Sequence, residues 1–143
     1  MSNLTVANLQ RIDRDALAAL VKSGADASQL AIIDVRDSDH IGGHIRSSIW
    51  VASGLLDHRM PELVRTQRFT KKVVFHCALS QQRGPSAALR YARERELILG
   101  PEEDQTEKQE ILVLEGGFVE WQEKYGNDET LTEGYVADIW TNY

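Results

Sequence analysis

The sequence predicts an α/β fold built on a largely parallel sheet, and three observations carry that expectation. Three short apolar runs, 31–35 (AIIDV), 71–77 (KKVVFHC) and 111–115 (ILVLE), have the β-branched content of strands buried on both faces. Segments with helical spacing alternate with these runs, as crossover connections require. The length, 143 residues, suits one domain spanning 1–143, with no repeat or linker, that buries a core without staples.

Each element has its own local reason. In 13–23 (DRDALAALVKS), Asp13 can cap, and Leu17, Leu20 and Val21 recur on one helical face until Gly24 ends the run. After the first strand, DSDHIGGHI places Gly42 and Gly43 where a tight loop or a close backbone approach is expected. Residues 48–52 (SIWVA) read as a further short strand. Residues 61–68 read as a helix with Pro61 in its first turn, where a missing N–H costs nothing. Residues 84–99 form a convincing helix, with Pro85 near its start and Gly100-Pro101 stopping it. Residues 102–110 are polar and acidic and read as an exposed loop. Gly116 and Gly117 lead into a helix over 118–126, with Phe118 and Trp121 facing the core. In the tail, 127–143, the sizes of Tyr135, Val136, Ile139 and Trp140 call for packing back on the body.

Composition narrows the function classes. The chain is 42% hydrophobic and 27% charged, ordinary for a globular protein, with a net charge of −6. That charge argues against broad nucleic-acid binding, and an anionic substrate would need a local positive site. One cysteine excludes an internal disulfide, which suits a reducing compartment. The opening stretch lacks an apolar core, so no signal peptide is expected, and no run approaches a membrane span. A cytoplasmic protein, or one also nuclear, is the expectation. The histidines His40, His44, His58 and His76 are not spaced as helical ligand pairs, so no metal site is expected.

Ligands of parallel sheets bind beyond the carboxyl ends of strands, so the loops after Val35, Phe75 and Leu114 matter most. The second of these carries the chemistry: strand, Cys77, five residues, Arg83, helix. A loop there can turn successive backbone N–H groups inward, and at a helix N-terminus such a nest holds a tetrahedral anion. The same partial charge favours a thiolate, the nucleophile of covalent catalysis. Arg83 can give two parallel N–H groups to two anion oxygens. Alone, a cysteine ending an apolar strand is ordinarily a small buried hydrophobe; the conjunction with Arg83, Gly84 and Pro85 favours the functional reading. His76 reads as a core histidine that holds the loop. Asp34 and Arg36 tie loops together near the strand end, and His44 caps or bridges loops. Gly116-Gly117 marks close packing or a second amide pair. Arg90, Arg93 and Arg95, interleaved with Glu94 and Glu96, read as a solvated helix face.

His76-Cys77-x5-Arg83-Gly84-Pro85 resembles the signature of the cell-cycle dual-specificity tyrosine phosphatases with a rhodanese fold. It is similar as well to small fungal, plant and protozoan relatives described as phosphatases or arsenate reductases. IIDVRDSDHIGGHI and LEGGFVEW resemble two further family segments, and GYVADIW resembles the ends of small fungal members, so the likeness runs from Ile32 to Trp140. The resemblance implies a rhodanese-like domain, a central parallel sheet with helices on both faces. It implies a catalytic Cys77, an anion-binding Arg83, and a pocket lined by the amides of Ala78, Leu79, Ser80, Gln81, Gln82 and Arg83. Sulfurtransferases of this fold usually have a loop one residue shorter, which suits sulfur rather than phosphate or arsenate.

A phosphatase acting on phosphotyrosine-type or small aryl phosphates is the first expectation. Its general acid would have to come from outside the loop, from Asp37, Asp39, Asp57 or the substrate, because 78–82 holds no acid. Ser80 either donates to the thiolate or stabilises the loop. The alternative is arsenate reduction, and with one cysteine it requires an external thiol such as glutathione with a glutaredoxin. A sulfurtransferase or a non-catalytic binding module comes third. No resident cofactor is expected.

Overall fold

The computed structural model describes residues 5, 8–100 and 108–141. Its centre is a five-stranded, all-parallel sheet in the order β1-β6-β5-β2-β4. The strands are β1 (Gln10–Ile12), β2 (Leu30–Asp34), β4 (Ile49–Trp50), β5 (Lys72–His76) and β6 (Glu110–Leu114). A separate antiparallel pair joins β3 (His44–Ile45) to β7 (Thr132–Glu133). The helices are α1 (Arg14–Lys22), α2 (Leu56–Thr66), α3 (Arg83–Leu99) and α4 (Gly117–Tyr125).

Period-two alternation splits the strands between two cores. Ala31, Ile33, Val73, Phe75 and Val113 face α2 and α3 and pack with Leu56, Met60, Val64 and Tyr91. Ile32, Val74, Leu112 and Leu114 face the other way, onto Leu17, Phe118 and Trp121 of α1 and α4. The apolar runs of the three main strands are continuous because both faces are covered. The expected α/β architecture, a parallel sheet between two helical layers, is therefore the one observed.

Three local expectations change. The helix read from Pro61 begins at Leu56, so Pro61 lies inside it. Its missing N–H leaves the Asp57 carbonyl without a helical donor, a cost of ~3 kcal/mol in a helix interior. Burying Leu56, Met60, Leu63 and Val64 on one face, at ~1.5–3 kcal/mol each, outweighs it. Arg95 is buried rather than part of a solvated face; its guanidinium donates to the Arg68 carbonyl at 3.3 Å. In the stretch read as an exposed loop, 102–107 lie outside the described residues, as does Pro101 of the expected helix stop. Gln109, however, is buried, accepting from the Tyr91 hydroxyl at 2.8 Å and donating to the Gln67 and Thr70 carbonyls at 2.7 Å each.

The tail packs through fewer side chains than its sequence suggested. Trp140 is buried and Tyr135 half-buried, while Val136 and Ile139 stay exposed. Among the described residues, no helix is long and apolar enough to cross a membrane.

Candidate active site

The carboxyl ends of β2, β5 and β6 converge on the segment between His76 and Arg83. α3 begins at Arg83, and its second residue, Gly84, lies so close to the loop that a Cβ there would stand 3.5 Å from the Cys77 nitrogen. Within the loop, the Ser80 amide donates to Cys77 Sγ at 3.2 Å, and the Cys77 amide donates to Ser80 Oγ at 3.4 Å. Ser80 holds φ at +57°, the left-handed conformation that folds the chain back over the sulfur. Its hydroxyl thus accepts from the loop backbone.

The other side of the loop is fixed by its carbonyls. The first turn of α4 donates two amides to it, Phe118 to the Cys77 carbonyl at 3.0 Å and Val119 to the Ala78 carbonyl at 2.9 Å. Arg11, next to Glu115, donates to the Ser80 carbonyl at 3.2 Å. A trans peptide points its N–H opposite its carbonyl. The amides of Ala78, Leu79 and Gln81 are therefore turned away from α4 and Arg11. Of the two roles open to Gly116-Gly117, the structure has close packing: the α4 amides are spent on loop carbonyls.

Cys77 is 3% exposed and packs at the edge of the core that faces α2 and α3, with the Ser80 amide as its polar neighbour. Ala78 and Ser80 are buried, whereas Leu79, Gln81 and Gln82 are exposed. Arg83 turns toward the loop after β2. Its two terminal nitrogens fork onto Asp39, at 2.8 Å to Oδ1 and 2.7 Å to Oδ2, and Nη1 lies 3.5 Å from Asp37. The Arg83 hydrogen bonds hold the Asp39 carboxyl down to about 2, and the same contact raises Arg83 further above its ordinary value. Asp37 is also kept low, first by the Ser53 hydroxyl that donates to it at 2.5 Å. Asp57, the remaining candidate acid, is exposed and pairs with Arg90 on α3.

Beneath this pair lies a buried ionic knot. Arg36 is fully buried; it meets Asp34 through Nε at 3.0 Å and through Nη2 at 2.7 Å, and it donates to the Gly43 carbonyl at 2.9 Å. Weaker bonds reach the Asp39 and Ile41 carbonyls at 3.4 and 3.5 Å, and its guanidinium carbon sits 4.5 Å from the Phe118 ring centre. Burial acts to raise the Asp34 carboxyl, but His76 and Arg36 beside it bring it below the ordinary range. His76 is wholly buried. Its Nδ1 lies 3.0 Å from the Cys77 carbonyl, and because a carbonyl only accepts, Nδ1 carries the proton. Among the described residues its Nε2 has no hydrogen-bond partner, and it lies 3.8 Å from Asp34. Burial lowers the His76 pKa, outweighing the neighbouring Asp34 carboxylate, which acts to raise it. His44 is farther out, on β3, bridging to Glu133 of β7 at 3.1 Å.

Three residues that the sequence did not single out belong to the site. Arg11 holds the loop from β1. His40 follows Asp39, approaches Asp34 at 3.5 Å and stacks on Trp50 at 4.3 Å between ring centres, 8° from parallel. Trp50 donates to the Arg36 carbonyl at 2.6 Å and remains 49% exposed. Both aromatic partners stood in recognised segments, but only the fold brings them face to face. A cavity of about 580 Å³, lined by Val21, Lys22, Leu30, Arg46 and Thr130, lies toward the amino end of β2, away from Cys77. Among the described residues, no His, Cys, Asp and Glu group is placed to hold a metal.

The profile of the Rhodanese-like domain matches residues 15–124. The chain is 33% identical over 153 aligned residues to the CDC25-like phosphatase YCH1 of Saccharomyces cerevisiae, covering 98% of this chain and 99% of that protein. It is 38% identical over 95 residues to arsenate reductase 2.2 of Oryza sativa subsp. japonica, covering 66% and 70%. Among solved structures, Saccharomyces cerevisiae Ygr203w, described as a homolog of single-domain rhodanese and the Cdc25 phosphatase catalytic domain, superposes with a TM-score of 0.74. That match is 34% identical and covers 98% of this chain and 97% of the other.

Proposed function

The chain belongs to the rhodanese-like domain family, and from that footing we propose that it is a cysteine-dependent phosphatase for phosphotyrosine-type or small aryl phosphate monoesters. One observation carries this reading. The loop carbonyls are bound on the α4 side, so several loop amides turn the other way, beside a sulfur that already accepts an amide hydrogen bond. That arrangement suits an oxyanion nest closed by Arg83, with five residues between it and Cys77.

In this mechanism the Cys77 thiolate attacks phosphorus while the ester P–O bond breaks, leaving a phospho-cysteine. Arg83 gives two N–H groups to equatorial oxygens, and the amides from Ala78 to Arg83 take the rest. Water then attacks phosphorus, releases phosphate and restores the thiolate. The loop carries no acid, Asp57 is engaged elsewhere, and Asp39 and Asp37 are held ionised beside Arg83, so proton delivery to the leaving oxygen falls to the substrate or to water, which suits esters with good leaving groups. His76, Asp34, Arg36 and His44 are supporting residues that hold the loops in place.

Arsenate reduction is the second reading, favoured by the absence of an acid in the loop and by the likeness to a plant arsenate reductase. Cys77 attacks arsenic and water leaves. An external thiolate, glutathione, then attacks the Cys77 sulfur. The S–As electron pair passes to arsenic, releasing As(III) and a mixed disulfide, which a glutaredoxin resolves. Neither reading calls on a resident cofactor.

Side-by-side assays on one preparation decide between them: p-nitrophenyl phosphate hydrolysis, and arsenite production with glutathione and glutaredoxin. Cys77→Ser abolishes whichever activity the wild type shows. Turnover that persists in the folded serine variant, or a wild type inert in both assays, removes the enzymatic reading.

A further inference from the structure

The end-on edge of Arg83, the part of a guanidinium best matched to two oxygens of an oxyanion, is filled by a protein carboxylate. Asp39 accepts from both terminal nitrogens at 2.8 and 2.7 Å, and Asp37 stands 3.5 Å from one of them. Two carboxylates therefore face one guanidinium, and the cluster sums to a charge of about −1. The neighbouring cation, Arg36, is neutralised by its own fork onto Asp34. A dianion entering this site meets net negative charge unless a carboxylate gives way.

Asp39 is the one free to do so. Asp37 is anchored separately, by the Ser53 hydroxyl and by the Gly54 amide at 3.1 Å. The Asp39 side chain is about a third exposed, and beyond Arg83 its carboxylate accepts from the Asp37 amide at 2.9 Å. Rotating that side chain frees the fork without moving the backbone, which Arg36 and Trp50 hold. We propose that Asp39 is a specificity-determining gate, an internal carboxylate that occupies the Arg83 fork and is displaced by the incoming oxyanion. The site then discriminates by competition. A lone carboxylate ligand only replaces like with like, whereas a tetrahedral dianion such as phosphate or arsenate brings further oxygens for the loop amides. This inference rests on the oxyanion-binding role proposed above for the Cys77–Arg83 loop.

Calorimetric titration of the full chain with inorganic phosphate tests it. Asp39→Asn keeps the size and removes the charge, so phosphate binds about tenfold tighter than to the wild type. Asp37→Asn removes a charge of the same sign from beside the fork but not from it, and gives a smaller gain. In an Arg83→Met background the gain from Asp39→Asn disappears, because there is no fork left to release. Asp39→Ser serves as a second variant if the asparagine protein melts early, with the same expectation. Equal or weaker phosphate binding by a folded Asp39 variant overturns the gate and makes Asp39 a positioning residue that orients Arg83. Absence of phosphate binding in the wild type and in all variants is a different result, and it overturns the oxyanion reading itself.

Discussion

At the scale of single residues, His76 links the stability of the molecule to its site. It donates to the carbonyl of Cys77 from a fully buried position and faces Asp34. Burial lowers its pKa, and burial also lowers that of His40. In the unfolded chain both rings protonate near the ordinary value of about 6.5. Below that pH the unfolded state binds protons that the native state refuses, so stability is full above it and declines as the solution is acidified. Urea unfolding midpoints measured at pH 7.5, 6.5 and 5.5 are expected to fall in that order. His76→Asn removes one of the two titrating groups, and its midpoint declines less over the same interval; a variant with the full wild-type slope contradicts the assignment. Some of this network was legible in the sequence. Cys77 and Arg83 stand out because nucleophile and anion ligand must share one short loop. The Asp39–Arg83 fork spans 44 positions and the Arg11–Ser80 contact spans 69. No local pattern encodes partners so far apart, and the sequence marks Trp50 only as a strand residue, with nothing to set its ring against His40.

At the scale of elements, the loop after β5 depends on the start of α4. Gly117 has φ +59°, and a Cβ there would stand 2.4 Å from the Ala78 carbonyl oxygen and 2.6 Å from that of Cys77. Backbone cannot yield as a flexible side chain can. Gly117→Ala therefore drives the loop and the helix apart and weakens the amide bonds from Phe118 and Val119. Strain at a left-handed residue costs ~1–3 kcal/mol, and each weakened hydrogen bond adds ~0.5–1.5 kcal/mol. The expected outcome is a loss of ~2–4 kcal/mol in urea unfolding, together with a fall in turnover under conditions where the variant remains folded. Gly116→Ala is the control, because the atoms nearest its Cβ would all belong to the flexible Glu120 side chain, so its main cost is left-handed strain and turnover is retained. Equal turnover in the two variants argues against α4 as the support of the loop. The glycine pair was visible in the sequence, but its purpose depended on which backbone lay opposite. Pro61 teaches the reverse lesson: the local rule placed it at a helix start, and burial of the α2 apolar face overrode the rule.

At the scale of the whole molecule, the tail closes the structure over the site. β7 pairs with β3, the Val136 amide donates to the Gly42 carbonyl at 3.2 Å, and Trp140 Nε1 donates to the same oxygen at 2.9 Å. The Trp140 ring lies 5.2 Å from Phe118, whose amide holds the Cys77 carbonyl and whose ring carries Arg36. The tail thus bears on both halves of the site, the segment from Asp37 to Gly43 and the loop after β5. That the tail would dock was legible from its large apolar residues; that Trp140 would be its anchor was not, because the contact needs Gly42 at φ +76° and space that a Cβ would fill. Removing a buried tryptophan ring costs ~3–5 kcal/mol. That is a large fraction of the ~5–15 kcal/mol by which a domain is stable. Trp140→Ala is expected to lose that much in urea unfolding with an unchanged slope, since a single side chain alters little of the surface exposed. Trp140→Phe keeps most of the packing but surrenders the bond to Gly42, and is expected to lose ~1 kcal/mol. The ordering separates packing from hydrogen bonding: if the two variants lose equally, the Gly42 bond carries the anchor, and if neither loses more than ~0.5 kcal/mol, the tail is a surface appendage and does not brace the site.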